Sequence, residues 1–460
     1  MAYRVFLFVV CVLAAFHPSA TAGPPVITFN DDGGWCWFED ERAIVHNGKL
    51  IIGSVAAGSH DATRKGNVEV VSYDLKTAEL KKRILHPSFE FDDHDSPAFS
   101  VLADGHILAM YAKHGRDNKI HFRVTEQPGD ISSWKTERTF VPSKKSRVTY
   151  SNLVRFNSGE SGGGRLFNFY RGYDASFKPS WMTSDDNGQS WTAHGLWIDF
   201  PAKQRHRPYV KFISNNKDTI HFVFTEGHPR NFNNSLFHAY YRNGAYHRSD
   251  GTRVKAVTDG PITPAEATKI FAGSENSVAW PCDLHLDDQA RPVVAYSVQE
   301  ALAELPSDRT DVGLDHRYRV ARWDGDGWQD REVAFAGTRL YKGEDDYTGL
   351  ICLDPNDTNC VFLSSNVNIQ TGAPNSSGHY EIYQGKTRDA GLTWRWTAIT
   401  ESSDVDNLRP IVPISNGDRT ILLWLRGRLH TYTDYDLDVV GIVFPAEEQA
   451  QNNSRESVRY

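Results

Sequence analysis

The segment "SDDNGQSW", Ser184 to Trp191, has a near-copy two hundred residues later in "TRDAGLTW", Thr387 to Trp394. Both read S/T-x-D-x-G-x-S/T-W. Such a spacing suits a tight hairpin turn: the Asp side chain accepts backbone N–H groups, the Gly takes positive φ, and the Trp packs beneath. Around these turns the chain is built from short runs rich in Val, Ile, Phe and Tyr, separated by Gly, Asn and Asp. Examples are "AIVHNGKLIIGSV", "LFNFYRG", "TIHFVFTEG", "PVVAYSV" and "TILLWLRG". These are strand signals throughout. One segment, "TPAEATKIFA", reads as a short helix. The pattern predicts an all-β chain of many strands of similar length.

The two turns resemble the Asp-boxes of sialidase-type propellers. Weaker relatives end at Trp134 in "PGDISSW" and at Trp328 in "WDGDGW". A mature chain of roughly 438 residues at about 60 per blade gives roughly seven blades. The expected architecture is therefore a single β-propeller, most simply seven-bladed, over residues 23–445. No linker or low-complexity segment divides it, and residues 446–460 form a polar tail.

The N-terminus combines Arg4, an apolar run from Val5 to Phe16 and an A-x-A site at Ala20-Thr21-Ala22. This is the pattern of a cleaved signal peptide over residues 1–22. It predicts a secreted or periplasmic protein, with an apolar run too short to span a membrane. The formal net charge of −8 argues against a nucleic-acid partner, which needs a broad basic surface. An anionic ligand in a local basic cleft fits, and a monomer is expected.

A propeller collects loop residues from several blades around one mouth, so candidate chemistry lies at strand ends. "DDHDSP" and "YAKHG" place His94 and His114 at matching ends of one hairpin, with Asp92, Asp93 and Asp95 beside one ring and Lys113 beside the other. The acids either set the tautomer and pKa of His94 or bind a cation such as calcium. "TYSNLVRF" and "RLFNFYRG" bring Tyr150 and Arg171 to one rim, with Tyr170 adjacent. An Arg beside a phenol is expected to depress its pKa and make it a usable base. "RHRPYVKF", with Arg205, His206, Arg207 and Lys211, and "TEGHPR", with His228 and Arg230, add positive charge.

The order "GGWCWFEDERAIVHNGKL", "DDHDSPAF", "YAKHG", "TYSNL", "FYRG", "SDDNGQSW", "RPYVKF" and "TEGHPR" resembles the BNR-repeat propellers that include the seven-bladed ulvan lyases, polysaccharide lyase families twenty-four and twenty-five. The resemblance implies β-elimination on a uronic acid of a sulfated algal polysaccharide. Matched motif to motif, it implies catalytic roles for His94, His114, Tyr150 and Arg171, and substrate contacts from Arg207, Arg230, Lys113 and Tyr170. No cofactor is implied for catalysis. A sialidase-like glycoside hydrolase and a non-catalytic carbohydrate-binding propeller are the competing readings.

Cys282 and His285 in "WPCDLHLD" have C-x-x-H spacing. With His228 or His238 they form a structural zinc site, or they are an ordinary buried Cys and a surface His. Related lyases carry structural metals. Cys352 and Cys360 flank the turn-rich "LDPNDTN", so a disulfide and two free thiols are both open. Cys36, in "WCWF", reads as a buried free thiol.

Overall fold

A computed structural model of the chain describes residues 24–37, 39–157, 164–200, 207–300, 313–415 and 419–445. The expected signal peptide, the C-terminal tail, Arg205 and His206 lie outside the described residues. Among those described, the strands form seven antiparallel sheets of four to six strands each. Each sheet is one blade of a seven-bladed β-propeller, and the described residues contain no α-helix. None of the described helices is long and apolar enough to cross a membrane.

The blades follow chain order. The first four start with Ala43–His46, Ala98–Val101, Thr149–Phe156 and Val210–Ser214. The last three start with Ser277–Leu286, Ile351–Asp354 and Asp406–Ile411. The ring is closed by the N-terminal strand Ile27–Asn30, which pairs with Asp434–Val443 in the seventh blade through Ile27↔Gly441 and Thr28↔Val440. The N-terminal strand thereby completes the seventh blade and ties the two ends of the ring together.

Alternating residues face neighbouring blades and form the core. Phe167, Phe169, Trp197, Phe212 and Phe222 lock the third blade to the fourth, and Trp37, Trp280 and Tyr347 fill the centre. The expected helix at "TPAEATKIFA" is a single 3₁₀ turn, Pro264–Glu266, followed by a strand, Thr268–Phe271. Thr268, Ile270 and Phe271 are better placed in a sheet, because branched and aromatic side chains lose χ1 freedom in a helix.

The two motif turns share one bonding pattern. Ser184 Oγ accepts from Gly188 N at 2.9 Å and Asp186 Oδ1 accepts from Ser190 N at 2.8 Å. Thr387 Oγ1 accepts from Gly391 N at 2.9 Å and Asp389 Oδ1 from Thr393 N at 2.9 Å. In the third blade the turn follows Ser184, while the other end of that strand, Pro179, pairs with Arg171. The turn and Arg171 therefore occupy opposite ends of the blade.

Candidate active site

The mouth is built from turns and strand ends of several blades. His94 sits in the one-turn helix Asp93–Asp95, whose cap, Asp92, accepts the His94 N–H at 3.1 Å. His114 follows the strand Ile107–Tyr111. Their imidazoles stack at 3.8 Å between centroids, 11° from parallel. Asp92 reaches both: Oδ1 lies 2.6 Å from His94 Nδ1 and Oδ2 lies 2.9 Å from His114 Nδ1. Tyr432, from the last hairpin, stands edge-on to the two rings at 5.2 and 5.6 Å.

Tyr150 closes the other side of the imidazoles, 5.6 Å from the His94 ring and 6.2 Å from the His114 ring. Its backbone has φ 64°, and the pairing register breaks between Thr149 and Asn152. A non-glycine residue held there costs about 1–3 kcal/mol and re-aims the side chain. Arg171 ends the neighbouring strand. Its guanidinium carbon lies 4.2 Å from the Tyr209 ring centroid and 5.5 Å from that of Tyr150. Its Nη2 donates to the carbonyls of Arg207 at 2.8 Å and Pro208 at 3.3 Å. The chain can turn away directly after Arg171 because Gly172 has φ 107°, and a Cβ there would lie 1.9 Å from the Arg147 carbonyl oxygen.

The far wall is His228, between Tyr209 at 5.5 Å and Trp280 at 5.1 Å. Glu344 Oε2 lies 3.3 Å from its Nε2, and Arg230 Nη2 donates to Glu344 Oε1 at 2.7 Å.

The protonation states are uneven. Burial pushes His94 toward the neutral form, but the acidic groups around it, among them the Asp92 carboxylate at 2.6 Å, carry its pKa well above the ordinary imidazole value. For His114, burial and then the charge on His94 hold the pKa below that value. Burial pushes Asp92 up, yet the two imidazoles outweigh it and leave the carboxylate below its usual range. Two stacked imidazoles do not both ionise readily, so near neutrality the pair is one imidazolium, His94, and one imidazole, His114. The depressed phenol expected at Tyr150 is not found. Burial pushes its pKa well above ordinary, outweighing His94 and Arg171, so the phenol keeps its proton.

Thus His94, His114, Tyr150 and Arg171 converge. Other expected residues do not. Tyr170 is 2% exposed and packs in the core with Leu108, Met110 and Val148, because strand neighbours face opposite ways and Arg171 takes the mouth side. Lys113 turns its Nζ over the Phe89 ring at 5.2 Å. Arg207 contributes its carbonyl, while its guanidinium lies over Phe177 at 5.6 Å. Arg230 is at the mouth but is tied to Glu344. Lys211 points inward, its Nζ donating to the Glu39 carbonyl.

The expected zinc set is not assembled. Cys282 and His285 lie on one strand, Ser277–Leu286, and three residues of strand rise about 10 Å; a C-x-x-H site needs a turn to bring its ligands together. His285 Nε2 instead lies 3.2 Å from Glu41 Oε1 and 3.5 Å from Asp283 Oδ2, the grouping of metal-ligand type that contains it. His228 belongs to the mouth, and His238 meets His221 at 3.1 Å. Cys352 and Cys360 are free thiols. Cys352 pairs with Phe362, which leaves Cys360 diagonal to it, and diagonal partners lie about 7–8 Å apart, too far for a disulfide. Cys36 is a buried free thiol, as expected.

Tyr209, Glu344 and Tyr432 were not singled out in the sequence. Tyr209 lies inside "RPYVKF", between an Arg and a Lys at a strand start, the one local signal that could have marked it.

The family model described as "BNR repeat-containing family member" matches residues 54–336, more than half of the chain. No curated protein matches. Among solved structures, a PL25 ulvan lyase bound to -[GlcA(1-4)Rha3S]- superposes with a TM-score of 0.63 at 13% identity, over 93% of this chain and 99% of that one. A second structure of a PL25 ulvan lyase gives the same values. The polysaccharide lyase Uly1 gives a TM-score of 0.53 at 11% identity, over 94% of each chain. At these identities the likeness is one of fold.

Proposed function

This chain belongs to the BNR repeat-containing family, and on that footing we propose that it is a polysaccharide lyase, cleaving a sulfated, uronic-acid-containing polysaccharide of ulvan type by β-elimination. The observation that carries the proposal is the stacked His94–His114 pair, one ring charged and one neutral, facing a protonated Tyr150 and the Arg171 guanidinium. The fold-related lyase bound to -[GlcA(1-4)Rha3S]- supports the substrate class.

Each group has a task. The C5 proton of a uronate is a very weak acid, and its loss builds negative charge on the carboxylate. Arg171 and the His94 imidazolium offer donors and positive charge there in a largely buried setting, where they act most strongly. Asp92 faces His114 Nδ1, so that nitrogen holds the ring proton and Nε2 carries the lone pair. His114 Nε2 takes the C5 proton. The C4–O4 bond breaks as the C4=C5 double bond forms, and the Tyr150 phenol gives its proton to the departing O4. Asp92 holds both imidazoles in place, and Arg207 and Pro208 hold Arg171 through their carbonyls. No water enters the products. Export is part of the proposal and rests on the N-terminal residues alone.

The test is incubation of the purified protein with a panel of uronic-acid polysaccharides, following ultraviolet absorbance and reducing ends together. The proposal expects both to rise. Reducing ends without the absorbance of an unsaturated uronate would make the protein a hydrolase. Binding with neither signal would make it a carbohydrate-binding propeller.

A further inference from the structure

Taking the elimination proposed above as the reaction, we infer that Asp93, clamped by Arg409, is the positioning residue that decides which ring of the stacked imidazole pair keeps the proton. In their contact with Asp92 the two rings are close to symmetric. The rings are parallel at 3.8 Å, and each Nδ1 meets one oxygen of the same carboxylate, Asp92, at 2.6 and 2.9 Å. Asp93 breaks the symmetry: its Oδ1 lies 2.9 Å from His94 Nδ1. Among the described residues no second carboxylate contacts the His114 ring; nearby Glu90 accepts its backbone N–H at 3.1 Å and the Arg116 side chain at 2.9 Å.

Asp93 is pinned from two other directions. Its backbone N–H donates to the Tyr432 carbonyl at 3.0 Å. Its Oδ2 takes Arg409 Nη1 at 2.6 Å, and the same nitrogen donates to the Trp35 carbonyl. Arg409 is 1% exposed. It stands at φ 54° where the pairing of the seventh blade breaks between Leu408 and Ile411. A fully buried ion pair returns little stability. What this one does is fix a negative charge in contact with the His94 ring, while on His114 Asp93 acts only at longer range and less than Asp92 does.

The other groups facing His94 do not replace it. Cys36 and Glu39 come from the segment after the N-terminal strand, Asp95 from the His94 turn itself, Tyr150 from the third blade, Tyr341 and Tyr347 from the loop before the sixth, and Tyr432 from the seventh. The Cys36 thiol is pushed up to about 11 and the phenols of Tyr150, Tyr341 and Tyr347 are raised, all chiefly by burial, so they are uncharged near neutrality. Burial raises Glu39 and Asp95 as well. Asp92 is shared. Asp93, next to Arg409, remains ionised: burial raises it, but the guanidinium and His94 bring it below the ordinary value.

The test follows histidine ring carbon and proton resonances against pH in ligand-free protein carrying ¹³C-labelled histidine. His94→Gln and His114→Gln assign the two signals. Asp93→Asn, which keeps shape and removes charge, should lower the His94 midpoint by about 1–3 units and shift that of His114 by less, because Asp93 acts on His114 only at longer range, so that the two converge. If the Asn variant does not fold, Asp93→Asn/Arg409→Gln removes both charges and should converge likewise, because the nearer charge is the one lost from His94. An unchanged His94 midpoint, or equal shifts of both rings, would overturn the inference. The readout needs no substrate. Convergence in a protein without lyase activity would leave the inference standing and remove the proposed function; activity without convergence would do the reverse.

Discussion

His94 and His114 lie face to face at 3.8 Å, and one carboxylate, Asp92, spans the Nδ1 atoms of both. Two like bases at that distance share one protonation event, and their pKa values move apart.

That separation predicts a bell-shaped pH profile for kcat/KM. His114 must be neutral to act as base, so the acid limb should fall below the ordinary imidazole value of 6.5. His94 must be charged, so the alkaline limb should fall above 6.5. Stability carries opposite signs. The contribution of His94, whose pKa is raised by folding, is fully present below 6.5 and is lost as pH rises through its folded value. His114, whose pKa is lowered, costs stability as pH falls from 6.5 through its folded value. Rate profiles and thermal melts across this range check both signs.

Arg171→Ala should lower kcat by about 10²–10³-fold, the usual loss when one donor to a developing oxyanion is removed. Arg171→Lys should recover little, because a single ammonium cannot both meet a carboxylate with the guanidinium's two-pronged geometry and hold the carbonyls of Arg207 and Pro208. Steady-state kinetics with circular dichroism separates lost chemistry from lost fold.

Tyr150→Phe keeps the ring and removes the hydroxyl. Turnover at saturating substrate should fall about 10²–10⁴-fold, with a melting temperature close to that of the parent. A loss below about tenfold would move the proton donor elsewhere. The melting temperature would show whether the backbone at φ 64° tolerates the change.

Cys36, Cys282, Cys352 and Cys360 are all buried and free. Burial pushes Cys36 to about 11 and Cys282 and Cys360 to about 12, and the thiolate is the reactive form. In the native protein these thiols should react slowly with a thiol reagent at neutral pH, and all should react on denaturation. A reductant should leave the melting temperature unchanged. Thiol titration with and without denaturant, beside a melt in reductant, decides it.

The propeller was legible because its strand length, turn chemistry and repeat are local. His94, His114, Tyr150 and Arg171 were legible because each pair sits on a hairpin whose ends must meet. Tyr170 was misplaced through neglect of the period-two alternation that sends the strand neighbour of a mouth residue the other way, and Lys113, past the end of its strand, lies over Phe89. His228 was read with Cys282 and His285 as a metal set, because spacing alone does not say whether a segment is a turn or a strand. Tyr209, Glu344 and Tyr432 join the site only when the ring closes, and no single segment carries that information. The protonation of Tyr150 was misjudged for a related reason: the adjacent Arg is visible in the sequence, but the burial that outweighs it is not.

The central claim is that chain cleavage proceeds by elimination at the His114–Tyr150 face, without water. It is tested most directly by digesting a uronic-acid polysaccharide in heavy-oxygen water and weighing the first products by mass spectrometry. Elimination predicts fragments with an unsaturated uronate end, lighter by one water than hydrolytic fragments, and no heavy oxygen incorporated by the cleavage step. Saturated fragments that take up one heavy oxygen at each cut would contradict the account.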